Sequence, residues 1–231
     1  MGPDDKVIQS VFSKALLFFS ACFFASGSIV QAGWASTPRM VEVPAGPFVS
    51  ASPSKSFPDE QLRSYLETFL IDTHEVTNKE FVEKFPDHIF WPGAESHPVS
   101  HISWHEARKF CALSGKRLPS AMEWEKSAGG PKGWVYPWGN KLPKKIPHPY
   151  YSGIIKRRVG LNRKDVSYYG ARDMAGSVWE WTEDRVDGKS VVRGGLWNLH
   201  LDYEYSKTYE RNLIHPDRRF IFLGFRCARS K

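Results

Sequence analysis

Residues 169–181, YGARDMAGSVWEW, and their echo at 191–198, VVRGGLWN, constrain this fold more than any other part of the chain. No helix or strand period fits them. Gly170, Gly176, Gly194 and Gly195 read as places where the backbone bends sharply or passes close to something. Trp179, Trp181 and Trp197 are too large to leave in solvent, and each carries an N–H that needs a partner once buried. The reading is a core of irregular, tryptophan-lined turns. Such a core needs something besides regular ladders to satisfy its backbone groups. A bound cation is one candidate, because Asp173 and Glu180 add two carboxylates seven residues apart.

At 231 residues one domain is the default, with room for a real core. The aromatic content of 14% and the moderate charge exclude a disordered chain. The first 35 residues are different. Lys6 and Lys14 precede an uncharged run over 15–30, and Val30-Gln31-Ala32 offers a small-residue cleavage site. This pattern predicts a secretory signal peptide over 1–32, a linker over 33–39 and a domain over 40–231, hence a secreted or periplasmic protein. The alternative is an uncleaved membrane anchor. A lipoprotein reading at Cys22 is weaker, since Phe19-Ser20-Ala21 precedes it and the apolar run continues past it. Removing 1–32 deletes Asp4, Asp5, Lys6 and Lys14, so the net charge stays +7. The basic residues fall in small groups at 144–145, 156–158, 163–164 and 218–219. In an exported protein such groups read as a solvated face or an anionic partner's landing site, not as a nucleic-acid surface. Cys111 and Cys227 alone remain after cleavage, and an even count in an oxidising compartment points to a disulfide.

Three helices announce themselves by one device. Thr77 with Glu80, Ser103 with Glu106, and Ser120 with Glu123 are capping boxes, predicting helices over 78–85, 104–113 and 121–128. Ala107, Phe110, Cys111 and Ser114 share one face of the second. Residues 40–49 read as an opening strand and turn, 50–58 as a Ser/Pro-rich surface loop and 62–71 as a strand. Beyond Pro131 the expectation is irregular structure, with short strands only at 190–193 and 220–226.

The segments DTHEVTNKEF, HPVSHISWHEARKFCALSGKRLPSAMEWEKSAGG, YPWGN, DMAGSVWEW, RGGLWN and GFRCAR occur in this order. Over about 40–229 the chain thereby resembles the formylglycine-generating enzyme, or sulfatase-modifying factor, family. The resemblance implies an α+β fold of the elaborated C-type-lectin-like kind, poor in regular structure, with about three short helices and short antiparallel strands. It also implies that Cys111 and Cys227 are bonded to each other. In the enzymes, two cysteines five apart bind copper and oxidise a substrate cysteine to formylglycine. Counting from Gly194–Gly195, those positions fall here on Leu199 and Glu204, and the family's active-site serine falls on Leu196. None supplies the thiolate that selects Cu(I), so no copper and no cysteine oxidation by that route are expected.

The family's calcium site carries over better. Its positions fall on Asp173, Gly176, Val178 and Glu180, two carboxylates plus backbone carbonyls suited to a hard cation. The plain alternative is that Asp173 caps a turn and Glu180 pairs with an arginine. A second family calcium loop is not carried over to the short, basic stretch 141–164. His97, His101 and His105 are spaced four apart, but Pro98 and the Ser103 cap place the first two before the helix. His200, Asp202 and Glu204, with His215 beyond, form another cluster. A transition metal there is possible chemistry, and a degenerate pocket rim is the favoured reading. Trp197, Tyr203, Tyr205 and Tyr209 would line a binding groove in the former pocket. The leading functional reading is an exported accessory, maturation or polypeptide-binding factor, in contact with membrane only if the signal segment is retained. The alternatives are a metal-dependent oxidase or tailoring enzyme on a protein or peptide-derived metabolite, and a structural subunit of a cell-envelope complex.

Overall fold

A computed structural model describes residues 39–50, 63–141, 158–195 and 206–231, all within the compact unit Thr37–Lys231. In chain order its elements are β1 (Met40–Val43), β2 (Gly46–Val49), β3 (Arg63–Leu66), β4 (Phe69–Asp72), α1 (Asn78–Val82), α2 (Trp104–Leu113), α3 (Ala121–Gly129), β5 (Trp179–Val186), β6 (Lys189–Arg193), β7 (Arg211–Ile214), β8 (Leu223–Gly224) and β9 (Ala228–Ser230). The architecture is α+β, with three helices and short strands, mostly antiparallel.

All three helices start in capping boxes. Thr77, Ser103 and Ser120 each accept the backbone N–H of a glutamate three residues on, and that glutamate bonds back to the cap. Helix α1 is shorter than the expected 78–85, although the Phe85 N–H still reaches the Phe81 carbonyl at 3.0 Å just before Pro86. Helix α3 stops at Gly130, whose φ of 69° lies in the left-handed region.

The stretches 40–49 and 62–71 each hold two strands, not one. Strand β1 pairs with β4 and β2 with β3, so together they form an antiparallel ribbon interrupted at 44–45 and 67–68. Pro44 cannot donate to a ladder. The Ala45 N–H is satisfied instead by Thr68 Oγ1 at 3.0 Å. Strand β9 adds to the free edge of β4, giving the order β1-β4-β9.

The second sheet has the order β7-β6-β5-β8 and carries the tryptophan motif. Here the expectation for 169–181 is corrected, because Trp179 to Trp181 open the eight-residue strand β5. Its first four residues are all buried, which erases the alternation that marks a one-sided strand. Asp187 and Gly188 turn β5 into β6 with φ values of 48° and 76°, a two-residue hairpin of the kind that needs both residues left-handed. The expected strand at 220–226 contracts to β8, which runs parallel to β5. Gly224 sits so close to Val99 that a Cβ would lie 2.5 Å from the Val99 carbonyl oxygen. Only glycine fits.

Two apolar clusters fill the interior. Phe81, Trp104, Phe110, Trp181, Leu223 and Phe225 belong to one, and Val43, Phe69, Ile71, Trp124 and Met174 to the other. The buried indoles find their partners. Trp104 Nε1 donates to the Thr182 carbonyl at 2.8 Å, Trp181 Nε1 to the Ile102 carbonyl at 3.2 Å, and Trp124 Nε1 to Glu180 Oε2 at 3.0 Å. Cys111 on α2 and Cys227 before β9 are joined in a disulfide that spans 116 residues. Closing so long a loop contributes about 4–5 kcal/mol in the chain-entropy account. Replacing both cysteines by serine should therefore lower Tm by about 10 °C or more in a thermal melt. An unchanged Tm would place the stabilisation of this corner elsewhere.

Candidate functional site

The motif residues converge on one buried ion pair. Arg226, in the GFRCAR segment, and Glu180, at the start of β5, are both fully buried. Arg226 Nε donates to Glu180 Oε2 at 2.7 Å, and its Nη2 donates to Glu180 Oε1 at 2.8 Å. Nη1 reaches the Asp72 and Thr73 carbonyls at 3.2 Å each, and Nη2 also reaches the Arg172 carbonyl at 2.9 Å. Those bonds engage all five N–H donors of a guanidinium. Glu180 thus adopts the arginine pairing that the sequence leaves open, while also accepting the Trp124 indole.

Further carboxylates surround this pair. Asp173 is buried with φ of 56°, the conformation of a turn residue, and its Oδ2 accepts the Gly160 N–H. Burial, partly offset by that bond and by Arg226, pushes Asp173 up to about 6. Asp165 accepts the Met174 N–H at 3.2 Å and the Ala175 N–H at 2.9 Å, pinning the turn ahead of Gly176. Burial, and then the Asp173 charge, push Asp165 up to about 7. Glu75, just after β4, is 2% exposed, and neither carboxylate oxygen has a hydrogen-bond partner. Burial, then Asp173, hold it well above the ordinary carboxylate range. His74 packs against Gly160, where a Cβ would stand 2.6 Å from the ring Nε2. Burial, and then Arg226, bring His74 down to about 4.

Of the residues expected to ligate calcium, Asp173, Gly176, Val178 and Glu180 thus lie on one turn and strand start, beside Arg226. Both Glu180 oxygens are taken up by Arg226 and Trp124, and among the described residues no three acidic, histidine or cysteine side chains converge on one point. Sequence reasoning missed Glu75, Asp165 and Trp124. Glu75 and Trp124 lie within the quoted motifs, Trp124 on the capped helix α3, whereas Asp165 lies in none of them and had no signal of its own. Arg226 was within a motif but not assigned as the partner of Glu180.

The histidines separate. His105 on α2 lies 3.3 Å from Asp217, which is also 3.6 Å from His215; all three are exposed. His97 and His101 precede α2 and line a groove of about 720 Å³ with His88, Ile89, Trp91 and Ile221. Leu196, Trp197, Leu199, His200, Asp202, Tyr203, Glu204 and Tyr205 lie outside the described residues. What flanks that segment is held firmly. Arg193, at the end of β6, donates to Glu125 Oε2 at 2.9 Å and to the Tyr209 carbonyl at 2.7 Å, both through Nη atoms. Tyr209 is half-buried beside Lys207, whose Nζ lies 5.9 Å from the ring centre.

The sequence profile of the sulfatase-modifying factor enzyme 1-like domain matches residues 26–231. The chain is 37% identical to the inactive Cα-formylglycine-generating enzyme 2 of Bos taurus over 57% of its own length and 50% of that protein's. It therefore spans about half of that relative. It is 28% identical to the formylglycine-generating enzyme of Bos taurus over 88% of its length and 78% of the enzyme's. Among solved structures, Treponema denticola variable protein 1 shares the fold with a TM-score of 0.70 and 22% identity, over 83% of this chain and 95% of that one.

The carboxylate cluster sets a pH dependence. An unfolded aspartate gives up its proton near 4, whereas folded Asp165 holds it to about 7. Between these values the folded form binds the extra proton, so raising pH costs stability. His74 acts oppositely, because the unfolded ring titrates near 6.5 and the folded ring at about 4. Its gain per pH unit has fallen by half at pH 6.5 and fades above it, where the carboxylate loss is the larger effect. With chelator present, urea melts should therefore show stability falling from pH 6.5 toward 7.5, and Asp165→Asn should flatten that fall. An identical slope in the variant would remove Asp165 as its source.

Proposed function

The chain belongs to the sulfatase-modifying factor enzyme 1-like domain family, and from that premise we propose an exported accessory or maturation factor that binds a polypeptide and has lost the cysteine chemistry. The observation that carries this reading is the fate of the cysteines. The sequence has three, Cys22, Cys111 and Cys227, and the last two are consumed in one disulfide. Leu199 and Glu204 stand where the enzymes carry their thiols, and Leu196 where they carry a serine. Copper(I) would lack its soft ligands. The inactive bovine relative is in keeping with the same loss.

A polypeptide-binding role draws support from the surface. Ile89 and Trp91 are 91% and 85% exposed at the groove that Ile221 also lines. Large apolar side chains left in water at a groove mark binding surfaces, and a tryptophan is the usual anchor. Export is supported by the charged-then-apolar pattern of the first 32 residues. Calcium held by Asp173, Glu180 and the carbonyls of Gly176 and Val178 would be structural, fixing the turn that enters β5.

Two tests follow from this reading. Protein incubated with copper, oxygen and a cysteine-containing sulfatase peptide should yield no formylglycine by mass spectrometry. Trp197→Ala and Trp91→Ala should each weaken capture of the native partner more than Lys189→Ala does. Formylglycine in the first assay would overturn the loss of chemistry, and capture indifferent to both tryptophans would move the binding surface elsewhere. For calcium, a chelator should lower the Tm of the protein, because a ligand of the folded state stabilises it by mass action. Asp173→Ala should abolish the difference. A melt blind to both changes would leave the turn as plain structure.

A further inference from the structure

Glu75, between β4 and α1, lines a cavity of about 840 Å³ with Asp72, His74, Val76, Phe110 and Lys116. A cavity of that size holds a small molecule. The backbone on both sides of Glu75 is pinned. The Asp72 and Thr73 carbonyls accept from Arg226 at 3.2 Å each, the Val76 N–H donates to the Phe225 carbonyl at 2.9 Å, and the Val76 carbonyl accepts the Val99 N–H at 2.8 Å. The side chain is 2% exposed, and neither carboxylate oxygen has a hydrogen-bond partner among the described residues. A buried polar group left unbonded is costly. The nearby cations are committed elsewhere. Lys116 pairs with Asp72, Arg39 pairs with Glu80, and Arg226 spends its N–H groups on Glu180 and three carbonyls. Lys84 also lines the cavity, but as an exposed residue next to exposed Glu83. His74, brought down to about 4, is neutral near pH 7 and adds no positive charge.

We propose that this cavity binds a small organic cation, a primary ammonium on an apolar stem, with Glu75 receiving the charged head. The proposal does not depend on calcium at the Asp173 turn. With Asp72 and Glu80 paired and Glu83 in solvent, Glu75 is the lining carboxylate that keeps free acceptors at depth. An ammonium brings three donors in a compact head and can bond such acceptors while neutralising their charge. A proton would neutralise Glu75 too, but the new O–H would itself need a partner. A metal ion does not fit, because among the described residues no three acidic, histidine or cysteine side chains converge on one point. The same cavity supplies a wall for the stem, since Met40, Val76 and Phe110 line it. An apolar wall with one placed charge is the make-up of a small-molecule site. The ammonium head can belong to a free amine or to a lysine side chain of a polypeptide.

The experiment is a calorimetric titration of the full chain, with chelator present, against three probes: phenethylamine, its neutral counterpart 2-phenylethanol, and N-acetyl-lysine methylamide. Phenethylamine should bind saturably. The alcohol should bind on the order of tenfold or more weaker, because it cannot make the charge-assisted bond. Glu75→Gln should weaken phenethylamine by a similar factor and leave the alcohol unchanged. Glu75→Asp draws the carboxylate back by one methylene and should weaken the amine alone; it carries the test if Glu75→Gln fails to fold. Tighter binding of the capped lysine than of phenethylamine would assign the site to a polypeptide side chain, and the reverse order to a free amine. Equal affinity for amine and alcohol, parental amine binding in the Glu75 variants, or no saturable binding of either amine would each overturn the proposal.

Discussion

The guanidinium of Arg226 is the point on which this structure turns. It ties the carbonyls that end β4, the carbonyl of Arg172 before the tryptophan motif, and the carboxylate that opens β5 to a segment near the C-terminus. The longest of these bonds in sequence spans 154 residues. In a fold with few long ladders, one side chain here does for three loop carbonyls what a neighbouring strand would do elsewhere. A buried pair of this kind is a poor source of net stability but a severe loss when broken, because removing one partner strands the other charge in the interior, at about 3–5 kcal/mol. Arg226 and Glu180 therefore read as devices that fix which irregular path the chain takes.

That choice has an electrostatic aftermath. Concentrating the motif carboxylates around one arginine leaves the cluster with more negative than positive charge, and burial raises Asp165, Asp173 and Glu75 together. The same residues that make the core specific make it receptive to protons. Fold and candidate site are thus one arrangement. Strand β6 is held apart from that cluster, by the Arg193–Glu125 pair, the Arg193 bond to the Tyr209 carbonyl and the β6–β7 pairing.

Much of this was legible in the sequence. The capping boxes located all three helix starts, because a cap is a local hydrogen-bond pattern that tertiary packing does not rewrite. The ordered motifs gave the fold class. The strands were harder. Residues 179–182 are buried on both faces and so lack the period of two, and the breaks at 44–45 and 67–68 only make sense once the two segments are seen to pair. Glu75 and Asp165 were invisible for a different reason. Their surroundings come from chain segments scores of residues away, and no spacing within a window reveals which carboxylate will lose its water.

The place of β9 beside β4 bears on when this domain can fold. Asp72 accepts the Cys227 N–H across 155 residues, and β9 lies against β4 in the same sheet as β1. Helices α1, α2 and α3 can form early from local signals, but the apolar faces they present wait for partners translated almost a whole domain later. Contacts of such span make folding slow and leave the incomplete chain open to wrong associations. A nascent copy of this protein therefore cannot complete this sheet until β9 is available, a condition that chaperones can hold.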